Sequence, residues 1–345
     1  MGAPVTDTAT TPQVTVLMPV YNAASYVAAA LESILNQTLR DFELLIIDDG
    51  STDQSVQIIR SYDDPRIRFH ANDRNFGLVR TLNKGFDLAR GEYIARMDAD
   101  DISLRKRLER QVDFMDSNPE IGACGTWAET FGDRNEVWRY PVAPEDVHAH
   151  LLFQSALAHP TTCLRRAAFD KHGLRYDEKF SHAEDFQLWQ RASDCFPIAN
   201  IGEVFLKYNI HSSSVSQTKR EMQAVTLRRI DREALLRLGI KASDAELDIH
   251  RCLGRGGEKL KGVPLEETER WLKKLITTNV AEQRYSQKSL QQLCGELWMQ
   301  VCQMNMQIMT RCLMSSSLMH HVSLRRRIAF AMRNSWLMPG LGQQR

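Results

Sequence analysis

Apolar side chains along the first 210 residues recur in two rhythms that take turns. Val14 to Met18 (VTVLM) is a short β-branched run closed by Pro19, and it predicts a buried strand. Across residues 25–36, Tyr26, Val27, Ala30, Leu31, Ile34 and Leu35 return at helical spacing. Phe42 to Ile47 (FELLII) predicts a second buried strand, broken by Asp48-Asp49-Gly50-Ser51. Ser51 or Thr52 is placed to cap a helix that carries Val56 and Ile59 on one face. Ile67 to His70 predicts a weak third strand, and residues 78–89 a helix ending before Gly91. Tyr93 to Met97 (YIARM) predicts a fourth strand that runs into Asp98-Ala99-Asp100-Asp101. Leu104, Leu108, Val112 and Met115 then lay a helix against the sheet, stopped by Asn118-Pro119.

This rhythm predicts an α/β fold, a mostly parallel sheet flanked by helices. Open parallel sheets bind ligands beyond the carboxyl ends of their strands, and both acidic clusters fall there. From residue 220 to 335 strand alternation is gone and amphipathic helical stretches replace it. Ser243-Asp244-Ala245-Glu246 has the form of a capping box, and Pro264 suits the start of another helix. The chain therefore divides into a disordered tail over 1–12, a ligand-binding domain over 13–216 and a helical region over 217–345. The Met-rich stretch 299–319 reads as packed helix core or as a contact in a homo-oligomer.

Composition narrows the function classes. A net charge of +1 over 345 residues gives no field to attract nucleic acid, which excludes that partner. The seven cysteines are scattered and form no C-x-x-C pair, so neither disulfide staples nor a thiolate zinc site is expected. Small buried thiols in a reducing, cytoplasmic setting fit them. No apolar run reaches the roughly 18 residues of a membrane span. The first residues, MGAPVTDTATTPQ, lack a secretory signal, and the myristoylation pattern of Gly2 and Thr6 is a short match.

Four groups of residues bear chemistry. Asp98 and Asp100, two residues apart just past a strand, can share a hard divalent ion, or they can be a solvated turn in which Asp101 caps a helix. Asp49 can accept from a base N–H or ribose hydroxyls with Gly50 allowing close approach, or the segment is a turn and cap. Glu184 and Asp185, in HAEDFQLWQRA, open a helix whose dipole stabilises them, and one can serve as a proton acceptor in a cleft. His211, in YNIHSSSVS, is either a structural histidine or a ligand near the acidic clusters.

Together these segments resemble the family 2 glycosyltransferases of the GT-A fold, especially bacterial enzymes that build surface polysaccharides. The resemblance rests on VTVLMPVYNAASYVAAALESILNQT, FELLIIDDGSTDQS, NFGLVRTLNKGFDLARGEYIARMDADDIS, HPTTCLRR, and HAEDFQLWQRA with YNIHSSSVS. It spans about residues 13–216 and leaves the helical third unmatched. It implies that Pro19, Val20 and Tyr21 line the nucleotide base with Asp49, which would bond uracil or its equivalent. Asn83 and Lys84 would face the nucleotide and diphosphate. Asp98 would contact the ribose side, and Asp100 would hold the Mn2+ or Mg2+ that bridges the phosphates. Asp185 matches the family's catalytic base, with Glu184 its neighbour. His211 matches a histidine that completes the metal or diphosphate site. Many relatives carry Arg near that histidine where this chain has Asn209, so a cation to steady the diphosphate must come from elsewhere, for example Lys207.

The implied reaction is an inverting transfer from a nucleotide diphosphate sugar, UDP-linked, to a hydroxyl of a glycan or lipid-linked glycan. Three alternatives stand beside it. A nucleotidyltransferase would place a glycine-rich loop after the first strand, where MPVYNAAS has no glycine. A non-catalytic sugar-nucleotide binder would keep Asp49 and Asp98 without needing Asp185. A scaffold would use the helical third for partners. At the end of the chain, residues 321–345 interleave Arg325, Arg326, Arg327, Arg333 and Arg345 with Leu324, Ile328, Phe330, Trp336 and Leu337. Such a segment can lie on an anionic membrane, or it is an ordinary solvated face.

Overall fold

All seven residues of β1 (Val14–Val20) are buried, as are the seven of β2 (Phe42–Asp48). Both are strands covered on two faces, which is why their sequences read as unbroken apolar runs rather than as alternation. The computed structural model describes residues 11–211, 220–256, 262–304 and 317–322. Residues 1–10 of the tail, most of the basic segment 321–345 and the middle of the Met-rich stretch lie outside the described residues.

After β1 the chain runs through α1 (Val27–Leu35), β2, α2 (Ser55–Arg60), β3 (Ile67–Ala71), α3 (Leu78–Leu88) and β4 (Tyr93–Arg96). It continues through β5 (Ile102–Ser103), α4 (Arg107–Ser117), β6 (Ala123–Gly132), β7 (Val137–Trp138) and α5 (Pro144–His150). Then follow β8 (Cys163–Arg165), α6 (Arg166–Lys171), α7 (Glu184–Ala192) and β9 (Ile198–Ile210). The sheet order is β3-β2-β1-β4-β8-β6-β9-β5, with β7 paired to β6. Strands β3, β2, β1 and β4 are parallel neighbours; β8 runs antiparallel to both β4 and β6, and β9 lies parallel to β6. Six strands therefore share one direction, and their carboxyl ends form one rim.

Pro19 does not end β1 as its ring suggests; it pairs with Ile47 inside the strand. Its missing N–H falls on the β4 side, where residue pairing already stops at Leu17 and Arg96, so no ladder bond is lost. The cap of α2 is also a correction. Ser51 Oγ accepts from Asn22 N and Thr52 N donates to Asn22 Oδ1, while Asp53 Oδ1 takes the N–H of Ser55 at 2.9 Å.

The described residues form two compact units, and the first holds the sheet and its helices through Leu227. The second takes Leu152–Gln154 and continues from Arg228. Its elements are the end of α8 (Arg220–Arg237), then α9 (Asp244–Arg255), α10 (Leu265–Glu282) and α11 (Gln287–Met304). The Ser243 box is formed as its sequence predicts, and Pro264 stands at the N-cap of α10. Trp271, Leu272, Leu275, Trp298 and Val301 are buried in this helical unit. Asn279 locks the turn after α10 by giving Nδ2 to Tyr285 O and accepting Tyr285 N. Among the described residues no helix is long and apolar enough to cross a membrane. Cys124, Cys163 and Cys294 are buried free thiols.

Candidate active site

Met97 N still bonds Leu17 O at 3.0 Å, and beyond it the chain turns and sets three carboxylates together. Ligand oxygens of Asp98, Asp100 and Asp101 lie within 4.8 Å of one another. Asp101 is not a helix cap: its Oδ1 accepts Asn209 N at 2.8 Å, and its buried Oδ2 has no hydrogen-bond partner among the described residues. Asp100 Oδ2 lies 2.9 Å from Nε2 of His211, which follows β9 directly. The His211 ring stacks on Tyr26 with centroids 5.2 Å apart and planes inclined by 23°. Burial, then the charge of Asp98, pushes the Asp100 carboxyl up; burial with the charges of Asp98 and Asp100 pushes Asp101 well up. Clustered carboxylates that disfavour their own ionisation, with an imidazole at the rim and one orphaned oxygen, suit a hard divalent cation.

Arg96, the last residue of β4, lies beneath this cluster and pairs with Asp98. Its side chain is 4% exposed against 27% for Asp98. The backbone is held on both sides: Arg96 N bonds Thr162 O at 2.9 Å, and Nη2 of buried Arg107 bonds Arg96 O at 2.6 Å.

A second acidic group opens α7. Burial, then the charge of Asp185, raises Glu184 from its ordinary 4.5 to about 7. Asp185 is also raised, chiefly by burial, with the N–H of Phe186 and the charge of Arg96 acting against the shift. Asp98 adds to the rise at Asp185, so the two acidic groups feel one another's field. Both groups act on Tyr176, whose hydroxyl is 2.7 Å from Nε2 of His159. The phenol is pushed up by burial and by Asp185, Glu184 and Asp98, while the Arg96 charge opposes the shift.

The third group stands at the end of β2. Asp49 Oδ1 accepts Asn72 Nδ2 at 2.8 Å and Phe76 N at 3.0 Å, and Oδ2 accepts Gly77 N at 2.8 Å. Lys84 Nζ reaches Asn72 Oδ1 at 2.7 Å, which joins α3 to the same network. Gly50, at φ 76°, lets the 72–77 loop close in: a Cβ there would stand 2.6 Å from Arg74 C. Tyr21 and Phe76 remain 51% and 38% exposed beside this loop, with the Arg74 guanidinium 5.1 Å from the Phe76 ring. Because β2 and β4 both flank β1, Asp49 and Asp98 stand about 10 Å apart along the rim by strand spacing.

Two residues of the sequence reading have side chains engaged within the fold. Val20 is 1% exposed, with its side chain in the core beside Met18 and Ala23, and only its carbonyl reaches the site region, accepting Asp49 N. Asn83 has its amide on Tyr176: Nδ2 donates to Tyr176 O and Oδ1 accepts Tyr176 N, so it braces that residue. Pro19 is buried within β1, and Lys207 lies exposed in β9. Sequence reasoning passed over Arg96, His159, Tyr176 and Asn72. Arg96 alone carried a signal, a charged residue inside the buried run YIARM just ahead of an acidic motif. A cavity of about 340 Å³, lined by Pro144, His148, Cys195 and Phe196, opens near the start of β9, at the other end of that strand from His211.

Residues 15–173 match the family model of glycosyl transferase family 2. An uncharacterized glycosyltransferase of Haemophilus influenzae is 30% identical over 235 residues, covering 64% of this chain and 73% of that protein. A glucosyltransferase of Escherichia coli, the UDP-Glc:alpha-D-GlcNAc-diphosphoundecaprenol beta-1,3-glucosyltransferase WfgD, is 30% identical over 209 residues, 60% of this chain and 80% of its own. The fold is similar to that of TarS from S. aureus, solved with UDP-GlcNAc, at a TM-score of 0.57 and 18% identity over 94% of this chain and 92% of that one.

Proposed function

Since the chain belongs to glycosyl transferase family 2, we propose that it is an inverting, cation-dependent enzyme acting on a UDP-linked sugar. The acceptor would be a hydroxyl of a glycan or lipid-linked glycan in polysaccharide synthesis. The observation that carries this reading is the pairing of two acidic groups along one rim: Asp98, Asp100 and Asp101 with His211, and Asp185 within their field.

Asp49 keeps acceptor capacity on Oδ2, which makes one bond in the structure and suits the imide N–H of a base. Exposed Tyr21 offers a face for that base to stack on. Asp98 would meet the ribose, while Asp100 and His211 would hold Mn2+ or Mg2+. Such an ion neutralises the diphosphate and stabilises it as a leaving group. Asp185, partly enclosed at the start of α7, takes the acceptor's proton as its oxygen attacks the anomeric carbon and the C–O bond to the nucleoside diphosphate breaks on the opposite face. One displacement inverts the anomeric centre. Glu184 stands beside Asp185, its own carboxyl raised to about 7 by burial and by the charge of that neighbour.

The names of the E. coli relative and of the TarS complex support a UDP-sugar donor, and the former supports an acceptor on a lipid diphosphate. The basic, aromatic composition of residues 321–345 suits attachment to the inner face of the cytoplasmic membrane, where such an acceptor resides. The test is incubation of the full chain with labelled nucleotide sugars, Mn2+ and a lipid diphosphate glycan. Acceptor-dependent consumption of one donor, with an inverted linkage in the product by NMR, is expected. Donor consumption indifferent to every acceptor, or a retained anomeric configuration, would refute the reading.

A further inference from the structure

Four carboxylates, Asp98, Asp101, Glu184 and Asp185, share the field of one buried guanidinium, that of Arg96. Its position is unusual for a salt bridge meant for stability. A guanidinium has five N–H donors, and when buried it ordinarily satisfies them. Among the described residues, Arg96 Nε is buried without a hydrogen-bond partner, and Nη1 makes the one carboxylate contact of the side chain, the ion pair to Asp98. The backbone clamps from Thr162 and Arg107 fix where the side chain starts.

We propose that Arg96 is a positioning residue that acts as the site's internal counter-ion: it holds Asp98 in the cation-free enzyme, and its charge competes there with that of the divalent cation on the adjacent Asp100. This rests on the cation site proposed above. The competition has a use. It sets Asp98 in place before donor arrives, and it keeps metal binding weak until a diphosphate adds ligands of its own. Arg96 also lies within electrostatic range of Asp185, so the same charge helps hold the base ionised.

The sign of the effect separates this role from a merely structural one. Removing a buried structural cation loosens its surroundings and weakens every ligand. Removing a competing cation leaves the cluster more negative, so the metal binds more tightly while turnover falls. Mn2+ affinity of the full chain without donor is measured by calorimetry and by the electron paramagnetic resonance of free Mn2+, for wild type, Arg96→Met, Arg96→Lys and Asp100→Ala. Arg96→Met is expected to bind Mn2+ about tenfold more tightly, the effect of a unit charge withdrawn from a partly screened site, while kcat drops at least about tenfold. Arg96→Lys keeps a charge but cannot span to Asp98 with a planar fork, and about threefold tighter binding is expected. This second variant carries the test if the first does not fold. Unchanged or weaker Mn2+ binding in a folded Arg96 variant overturns the inference, provided Asp100→Ala abolishes binding. If Asp100→Ala binds as wild type does, the cation site itself fails, and the inference falls with it.

Discussion

Replacing Asp185 with Asn exchanges one carboxylate oxygen for an amide at nearly constant volume, at the first turn of α7. Asp185 is partly enclosed, burial raises its carboxyl, and the Phe186 N–H is the first influence holding it ionised. The amide oxygen can still accept that N–H, so the helix start keeps its geometry. Loss of a charge near a helix N-terminus costs about 0.3–1 kcal/mol, and relief of the repulsion from Glu184 offsets part of it. The melting temperature should therefore move by no more than a few degrees. Turnover should not survive so well. An amide cannot take the acceptor's proton, and a positioned general base contributes about 10²–10⁴ in rate, or about 3–5 kcal/mol of barrier. Asp49 and its partners Asn72, Phe76 and Gly77 belong to the other end of the rim. Donor affinity should accordingly stay within about threefold of wild type, roughly 0.6 kcal/mol. The assay pairs single-turnover transfer of a labelled sugar with calorimetric titration of the nucleoside diphosphate. A variant that keeps kcat within tenfold, or that loses donor binding as severely as turnover, would show that Asp185 is not the base.

Three further outcomes follow from the same geometry. Glu184, at about 7 in the fold against 4.5, binds its proton more tightly folded than unfolded; stability should fall as pH climbs through that window and level off above it, and urea midpoints of Glu184→Gln should lose that slope. Asn83→Ala should cost about 1–3 kcal/mol by stranding the Tyr176 backbone, with donor KM little altered, whereas a donor-contacting Asn83 would raise KM and leave the urea midpoint alone. Gly50→Ala meets the Arg74 and Asn75 backbone at 2.6–2.7 Å from a left-handed φ; it should displace the 72–77 loop and raise donor KM about tenfold or more, and an unchanged KM would separate that loop from the donor.

Much of this protein was legible in one dimension. Strands covered on both faces must be continuously apolar, so VTVLM and FELLII announced themselves, and an acidic residue after such a run must stand at a strand's end. Asp98, Asp100, Glu184, Asp185 and His211 were singled out as candidates from local spacing and from the family that they resemble. What lay beyond local reading was every relation between distant segments. Which oxygens of the acidic run face a ligand and which face Asn209 depends on β9 returning beside β5, more than a hundred residues later. Val20 looked like a pocket residue until the pleat turned it to the core, and nothing near Asn83 in the sequence announced the two bonds its amide makes to Tyr176. Arg96 is the plainest case. Its sequence shows only a charge in a strand, because the meaning of a buried charge lies in what surrounds it, and burial is a property that tertiary packing alone creates.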